Sequence, residues 1–220
     1  MKKRILILLV VLLAVSAVWA ESSEYKKYYF SVGLNLSKSD YIYHEESALD
    51  PIGLGGDPNK TSGIAVGAEM RLNLGLFRIN ITGDFSVLSP QYLGVSYLYF
   101  NGMSDIGVGI DFKNIVGIGL GLGPNMTFLF PSDGSTPWYI PGDEEEPQKQ
   151  ASIFYAWVHS PVNYKITLDA IVGPVMRVGI AYTFPTQFNL ERFELDKLNP
   201  FLKGNIDSGK VSFYILMRVF

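Results

Sequence analysis

The chain has 220 residues, is 48% apolar and 14% aromatic, and carries 21 acidic against 18 basic residues with no cysteine. This size and composition suit one compact domain, and the acidic balance argues against a nucleic-acid partner. The missing cysteines exclude disulfides, thiolate metal sites, catalytic thiols and a lipid-modified N-terminal cysteine.

Lys2, Lys3 and Arg4 precede an apolar run from Ile5 to Val18, and Val18-Trp19-Ala20 offers a signal-peptidase site. Residues 1–20 therefore read as a secretory signal peptide and 21–220 as the mature domain. The run is too short to span a bilayer comfortably, and no later segment approaches roughly 18 to 20 uninterrupted apolar residues. Cleavage removes three basic residues, leaving 15 basic against 21 acidic ones and a net charge of −6.

The first strand follows, with Tyr28, Phe30, Val32, Leu34 and Leu36 on one face and Tyr29, Ser31, Gly33, Asn35 and Ser37 on the other. A period of two marks a β-strand. Ile64, Val66, Ala68, Met70 and Leu72 oppose Glu69 and Arg71; after a tight turn at Asn73-Leu74-Gly75, Phe77, Ile79, Ile81, Phe85 and Val87 oppose Arg78, Asn80 and Asp84. A fourth strand is clearest at Ile106, Val108, Ile110 and Phe112, against Asp105 and Asp111. Past Lys113-Asn114, a fifth places Val116, Ile118, Leu120 and Leu122 against Gly117, Gly119, Gly121 and Gly123. Val162, Tyr164, Ile166, Leu168 and Ala170 face away from Lys165 and Asp169, and Gly173-Pro174 turns into Met176, Val178, Ile180, Tyr182 and Phe184 opposite Arg177. The last strand runs from Lys210 to Phe220.

The expected fold is all-β: a closed antiparallel up-and-down transmembrane β-barrel of eight strands. Long loops 38–62, 131–161 and 185–208 then fall at one end and tight turns at the other, the asymmetry of outer-membrane barrels. The alternative is ten strands. Asn101-Gly102 is a hairpin signal that would split the fourth strand, and Ile153, Tyr155 and Trp157 would supply a further one. On the preferred count of eight, Asn101-Gly102 is a bulge or part of an external loop.

Alternation alone fits a soluble barrel equally well, and the glycines decide between the two. Gly33, Gly67, Gly107, Gly109, Gly117, Gly119, Gly121 and Gly179 share the charged face. A surface in water has no steric need for them, whereas a narrow lumen does. The apolar rows then face lipid, with Tyr28, Phe77, Phe85, Tyr182 and Phe184 as interfacial girdles. Glu69, Arg71, Arg78, Asp84, Asp111, Lys165, Asp169 and Arg177 point inward together, as does Asp105, and are expected to form a charge network that plugs the lumen.

A cleavable signal, eight alternating strands and the aromatic-ended stretch from Val211 to Phe220 together resemble the small OmpA/OmpX/OmpW-like bacterial outer-membrane barrels. The resemblance implies residence in the outer membrane, with its lipid bilayer and the barrel-assembly machinery as partners. Phe220 would be part of the assembly signal. It also implies a structural, adhesive or surface-interaction role toward an external ligand or host surface; the alternative is an OmpW-like conduit for small hydrophobic solutes. Arg218 shares the parity of Phe220, so either Val211, Phe213, Ile215, Met217 and Val219 face lipid or Arg218 snorkels at the rim.

An enzyme is the less expected reading, and no cofactor or metal is expected. His44, beside Glu45 and Glu46, and His159, beside Ser160, lie in predicted loops, where Ser/His/carboxylate chemistry is compositionally possible. No G-x-S-x-G or metal-spaced motif accompanies them. Asp143, Glu144, Glu145 and Glu146 form a carboxylate run able to recruit Ca²⁺, although such runs are usually solvated loop. Phe188, Leu190, Phe193, Leu195 and Leu198 form an amphipathic stretch suited to capping the barrel mouth. Deleting Phe220 is expected to lower the outer-membrane level of the protein, measured by fractionation; an unchanged level would remove the assembly signal from this residue.

Overall fold

The computed structural model describes residues 28–39, 64–92, 95–112, 115–140, 148–149, 151–172, 175–199 and 209–219. The expected signal peptide, His44, the Asp143 to Glu146 run and Phe220 lie outside the described residues.

Eight strands close the barrel: β1 (Tyr28–Ser39), β2 (Ile64–Leu74), β3 (Phe77–Tyr92), β4 (Val95–Phe112), β5 (Val116–Pro131), β8 (Val162–Val172), β9 (Met176–Phe184) and β10 (Lys210–Arg218). Two short strands, β6 (Trp138–Ile140) and β7 (Gln148–Lys149), extend the sheet from β5 outside the ring. Every strand pairs antiparallel with its sequence neighbour in the ring. The first and last meet from Ser31↔Arg218 to Ser39↔Lys210, and β4–β5 and β5–β8 complete the circle. The ladders thereby pair the backbone of the wall within the sheet, as a lipid solvent requires.

The alternation holds around the ring. Leu34, Val66, Ile106, Leu168, Ile180 and Phe213 stand exposed on the outer face, while Asn35, Glu69, Asp105, Asp169 and Ser212 are buried within. On β10 the set Val211, Phe213, Ile215, Met217 and Val219 faces outward. Arg218 takes the inward parity, its guanidinium 4.2 Å from the centre of the Tyr29 ring. Tyr28 and Phe77 are exposed near the tight-turn end and Phe85 toward the other. Gly75 has φ 71°, the left-handed value a two-residue hairpin loop demands at its first position.

Four expectations need correction. Asn101-Gly102 is neither a bulge nor a loop, because both residues sit in unbroken ladders, Asn101 opposite Asp84 and Thr127, Gly102 opposite Gly83 and Met126. The ten-strand barrel fails with it: residues 153, 155 and 157 belong to helix α1 (Ile153–His159). The end asymmetry is also incomplete, since only residues 93–94 separate β3 from β4 at the end that carries the long loops. The cause is strand length. At 16, 18 and 16 residues, β3, β4 and β5 exceed the roughly 9–11 needed to cross a membrane, so their paired ends run on as a sheet above the barrel. Finally, 131–161 is not bare loop: it holds β6, β7 and α1, and 185–208 holds a short 3-10 turn at Leu195–Leu198 and a bridge from Asn189 to Pro161.

The seam between β1 and β10 is tight at Gly33, where an added Cβ would overlap the backbone carbonyl of Ile215. Gly33→Ala is expected to force a backbone shift worth about 1–3 kcal/mol. Urea unfolding of the lipid-inserted protein should show a lowered midpoint, and an unchanged one would refute the close approach.

Candidate functional site: the charged lumen

Each lumen charge is set by strand parity, and its partner by the narrowness of an eight-strand interior. Arg71 on β2 is the hub: Nη1 lies 2.8 Å from Asp169 Oδ2 on β8, Nη2 lies 2.9 Å from Glu69 Oε1, and Nε donates to Asn80 Oδ1 at 3.0 Å. Its guanidinium also stands 4.9 Å from the centre of the Tyr214 ring. Lys165 on β8 reaches back to Glu69 Oε2 at 3.0 Å and Thr82 Oγ1 at 2.9 Å. In the ring β1, β2, β3, β4, β5, β8, β9, β10, strands β2 and β8 are four places apart in either direction. These two pairs therefore cross the diameter of the barrel.

Toward the tight-turn end, Arg177 on β9 holds Asp111 Oδ2 at 2.5 Å and Asp169 Oδ2 at 3.3 Å. Arg78 on β3 joins them, with Nη2 3.0 Å from Asp111 Oδ1 and Nη1 3.7 Å from Asp169 Oδ2. Glycines supply the room. A Cβ at Gly109 would overlap the Arg78 guanidinium, and one at Gly117 would stand 2.7 Å from Asp111 Oδ1. Toward the loop end, Asp84 accepts from Asn35 at 2.7 Å, Ser37 at 3.2 Å and Lys210 at 2.8 Å, and Lys210 continues to Asn101 Oδ1 at 2.7 Å.

All eight sequence-predicted lumen residues thus point inward; seven are linked in one network, and Asp84 stands apart in a second cluster with Lys210. Lys210, Tyr214 and Asp105 are among the participants outside that set of eight. Lys210 opens β10 at the edge of a predicted loop, yet its alternation with Ser212 and Tyr214 already gave it the inward face. Tyr214 donates its hydroxyl to Asp169 Oδ1, although an aromatic on a polar face carries no such signal in sequence. Asp105, placed inward by its parity, accepts from Asn80 Nδ2 at 2.6 Å. Asp84, Glu69, Asp105, Asp111 and Asp169 stand against Arg71, Arg78, Lys165, Arg177 and Lys210, five charges of each sign, and Arg218 on the inward parity over Tyr29 adds a sixth cation.

No protein-family model matches the chain, and no curated protein does. Among solved structures, Ail, the attachment invasion locus protein of Yersinia pestis, aligns at 11% identity and TM-score 0.44, covering 87% of this chain and 95% of that one. Ail in complex with the heparin analogue sucrose octasulfate aligns at 12% and 0.41, with coverages of 87% and 95%. Neisserial surface protein A aligns at 12% and 0.39, covering 89% and 99%. The fold rests on the chain's own hydrogen-bond ladders.

The loop-end groups are engaged separately. His159 Nε2 lies 3.1 Å from Glu191 Oε2, and its Nδ1 lies 2.9 Å from the Tyr155 carbonyl oxygen. Ser160 shares a hydrogen bond of 2.9 Å with the Tyr139 hydroxyl. Phe188 is buried, whereas Phe193 and Leu195 are exposed.

Within the lumen, Glu69→Gln or Lys165→Met alone leaves a buried charge without its partner and is expected to destabilise by about 3 kcal/mol or more. The double variant should lose less than the sum, because it removes both charges. A double-mutant cycle from urea unfolding measures the coupling, and strict additivity would dissolve the pair.

Proposed function

We propose that this chain is an integral outer-membrane β-barrel with a sealed lumen, and that its role is carried by the surface it presents at the loop end. The single observation behind the seal is the pair of ion-paired bridges crossing the barrel diameter, Glu69 to Lys165 and Arg71 to Asp169. Both members of each are fully or almost fully buried, and hydrogen bonds to Asn80 and Thr82 and from Tyr214 occupy the space around them. Eight strands enclose an interior that such side chains fill, leaving no wide aqueous path. Buried ion pairs contribute little net stability, so a position-specifying, space-filling role suits them better than a stabilising one.

The outer face supports the membrane reading. A water-exposed surface with Leu34, Val66, Phe77, Ile106, Phe213 and Met217 all standing out would bring continuous apolar patches together and aggregate. In lipid, the same rows are the solvent-matched surface. What faces the medium is then the extension of β3, β4 and β5 with β6 and β7, and beside it residues 185–199, bridged at Asn189 to Pro161. This is an ordered platform suited to contact with an external ligand or host surface rather than to passage of a solute.

The test combines two readouts. The mature protein should fractionate with the outer membrane and run faster on electrophoresis when unboiled, as a closed barrel that resists dodecyl sulfate does. In planar bilayers it should show no steady conductance. Arg71→Ala, where it still gives the heat-modifiable form, should introduce a conducting state. Steady conductance of the unmodified folded protein would overturn the seal and favour a conduit for small solutes.

A further inference from the structure

Helix α1 has an apolar face that the barrel does not use. It is capped at its start by Ser152, whose Oγ accepts from the Tyr155 amide at 3.1 Å. Seven residues are too few to be stable alone, so packing must hold it. Ala156 is fully buried, the Tyr139 hydroxyl donates to the Ala156 carbonyl oxygen at 3.3 Å, and Tyr155 meets the edge of the Tyr139 ring. Tyr139 lies opposite Phe128 in the ladder, on the same outward parity as Ile118, Leu120 and Leu122 lower on β5. The helix therefore sits against the outside of the wall and does not cap the lumen.

Its height follows from Trp157. The indole Nε1 donates to Ser104 Oγ at 2.9 Å, and Ser104 is an outward position of β4. Ile106 is the next outward residue on that strand, 66% exposed, and Ile81, directly across the ladder from Ser104, is 50% exposed. The helix thus meets the upper edge of the apolar belt with no polar gap between them. Its outer side continues that belt: Ile153 is 74% exposed, Phe154 75% and Trp157 37%. The helix carries no Asp, Glu, Lys or Arg, and its histidine, His159, is turned to Glu191 of the long segment before β10.

We propose that α1 is an interfacial helix that inserts Ile153, Phe154 and Trp157 among the acyl chains just beneath the headgroups of the outer leaflet. This rests on the membrane reading above. Continuity with the lipid-facing wall selects lipid as the occupant, and a half-buried tryptophan with its N–H satisfied by Ser104 is the residue suited to that depth. A helix with one apolar face lies in the interface with that face about 5–10 Å into the headgroup and acyl boundary.

Because the chain has no cysteine, single-cysteine labelling is clean. An environment-sensitive fluorophore is placed at Phe154→Cys, at Leu168→Cys on the outer face of β8, and at Ser135→Cys in the exposed turn after β5. Each protein is folded into phosphatidylcholine vesicles carrying bromine either near the headgroups or deep in the chains. The Phe154 probe should be quenched mainly by shallow bromine and be several-fold less accessible to aqueous iodide than the Ser135 probe. The Leu168 probe should respond to deep bromine. A Leu168 probe blind to bromolipid would refute the membrane reading itself. With Leu168 quenched, a Phe154 probe as open to iodide as Ser135 would overturn the interfacial helix. Shielding from iodide without bromine quenching, lost as the lipid-to-protein ratio rises, would also overturn it by assigning the face to a second copy of the chain.

Discussion

The narrowness of an eight-strand ring governs this molecule. Once the sheet closes on itself, the inward side chains have neighbours from the opposite wall within reach, and most of them, the part-exposed Asp111 excepted, are shut off from bulk water. Arg71 is the sharpest case: fully buried, it meets Glu69 on its own strand and Asp169 across the diameter. An isolated charge there would be prohibitive, so each inward charge imposes a partner elsewhere, and each long side chain imposes a small one nearby. The glycines of β5 are the reverse side of the same condition, because Gly117, Gly119 and Gly121 face Arg177, Arg78 and Asp105.

That condition explains why so much was legible from sequence. Parity along a strand is a local property, and it placed Glu69, Arg78, Asp84, Asp111, Lys165, Asp169 and Arg177 on the inner face without knowledge of a single partner. Which strand meets which across the lumen is not local, so the pairing of Lys165 with Glu69 rather than with Asp105 or Asp84 was beyond reach. Lys210 was missed because it stands at the start of a strand, where a polar residue reads as the end of a loop.

The parts above the barrel were hidden for a different reason. Past the apolar belt, β3, β4 and β5 no longer separate lipid from lumen, so their sequences need not alternate, and Asn101-Gly102 reads as a turn while lying in a regular ladder. In α1, Ile153, Tyr155 and Trp157 alternate in the manner of a strand, and seven residues are too short a window for the helical period to declare itself. Packing against Tyr139 and the bond to Ser104 decide the outcome, and both partners are distant in sequence. The barrel mouth is accordingly flanked on one side by a tall sheet with a helix against its outer surface.

The pairing of the first strand with the last has a bearing on the order of events during biogenesis. Residues 31–39 find their partners only at 210–218, so loop closure over nearly the whole length from β1 to β10 precedes the final ladder. Lys210 and Tyr214 enter the lumen on that last strand, to meet Asp84 and Asp169. Until they arrive, two open edges and the unneutralised Asp84 carboxylate coexist, a species ill suited to either water or lipid. Assembly is thereby pushed toward an all-or-none event, in which sealing the wall and neutralising the interior occur in the same stroke.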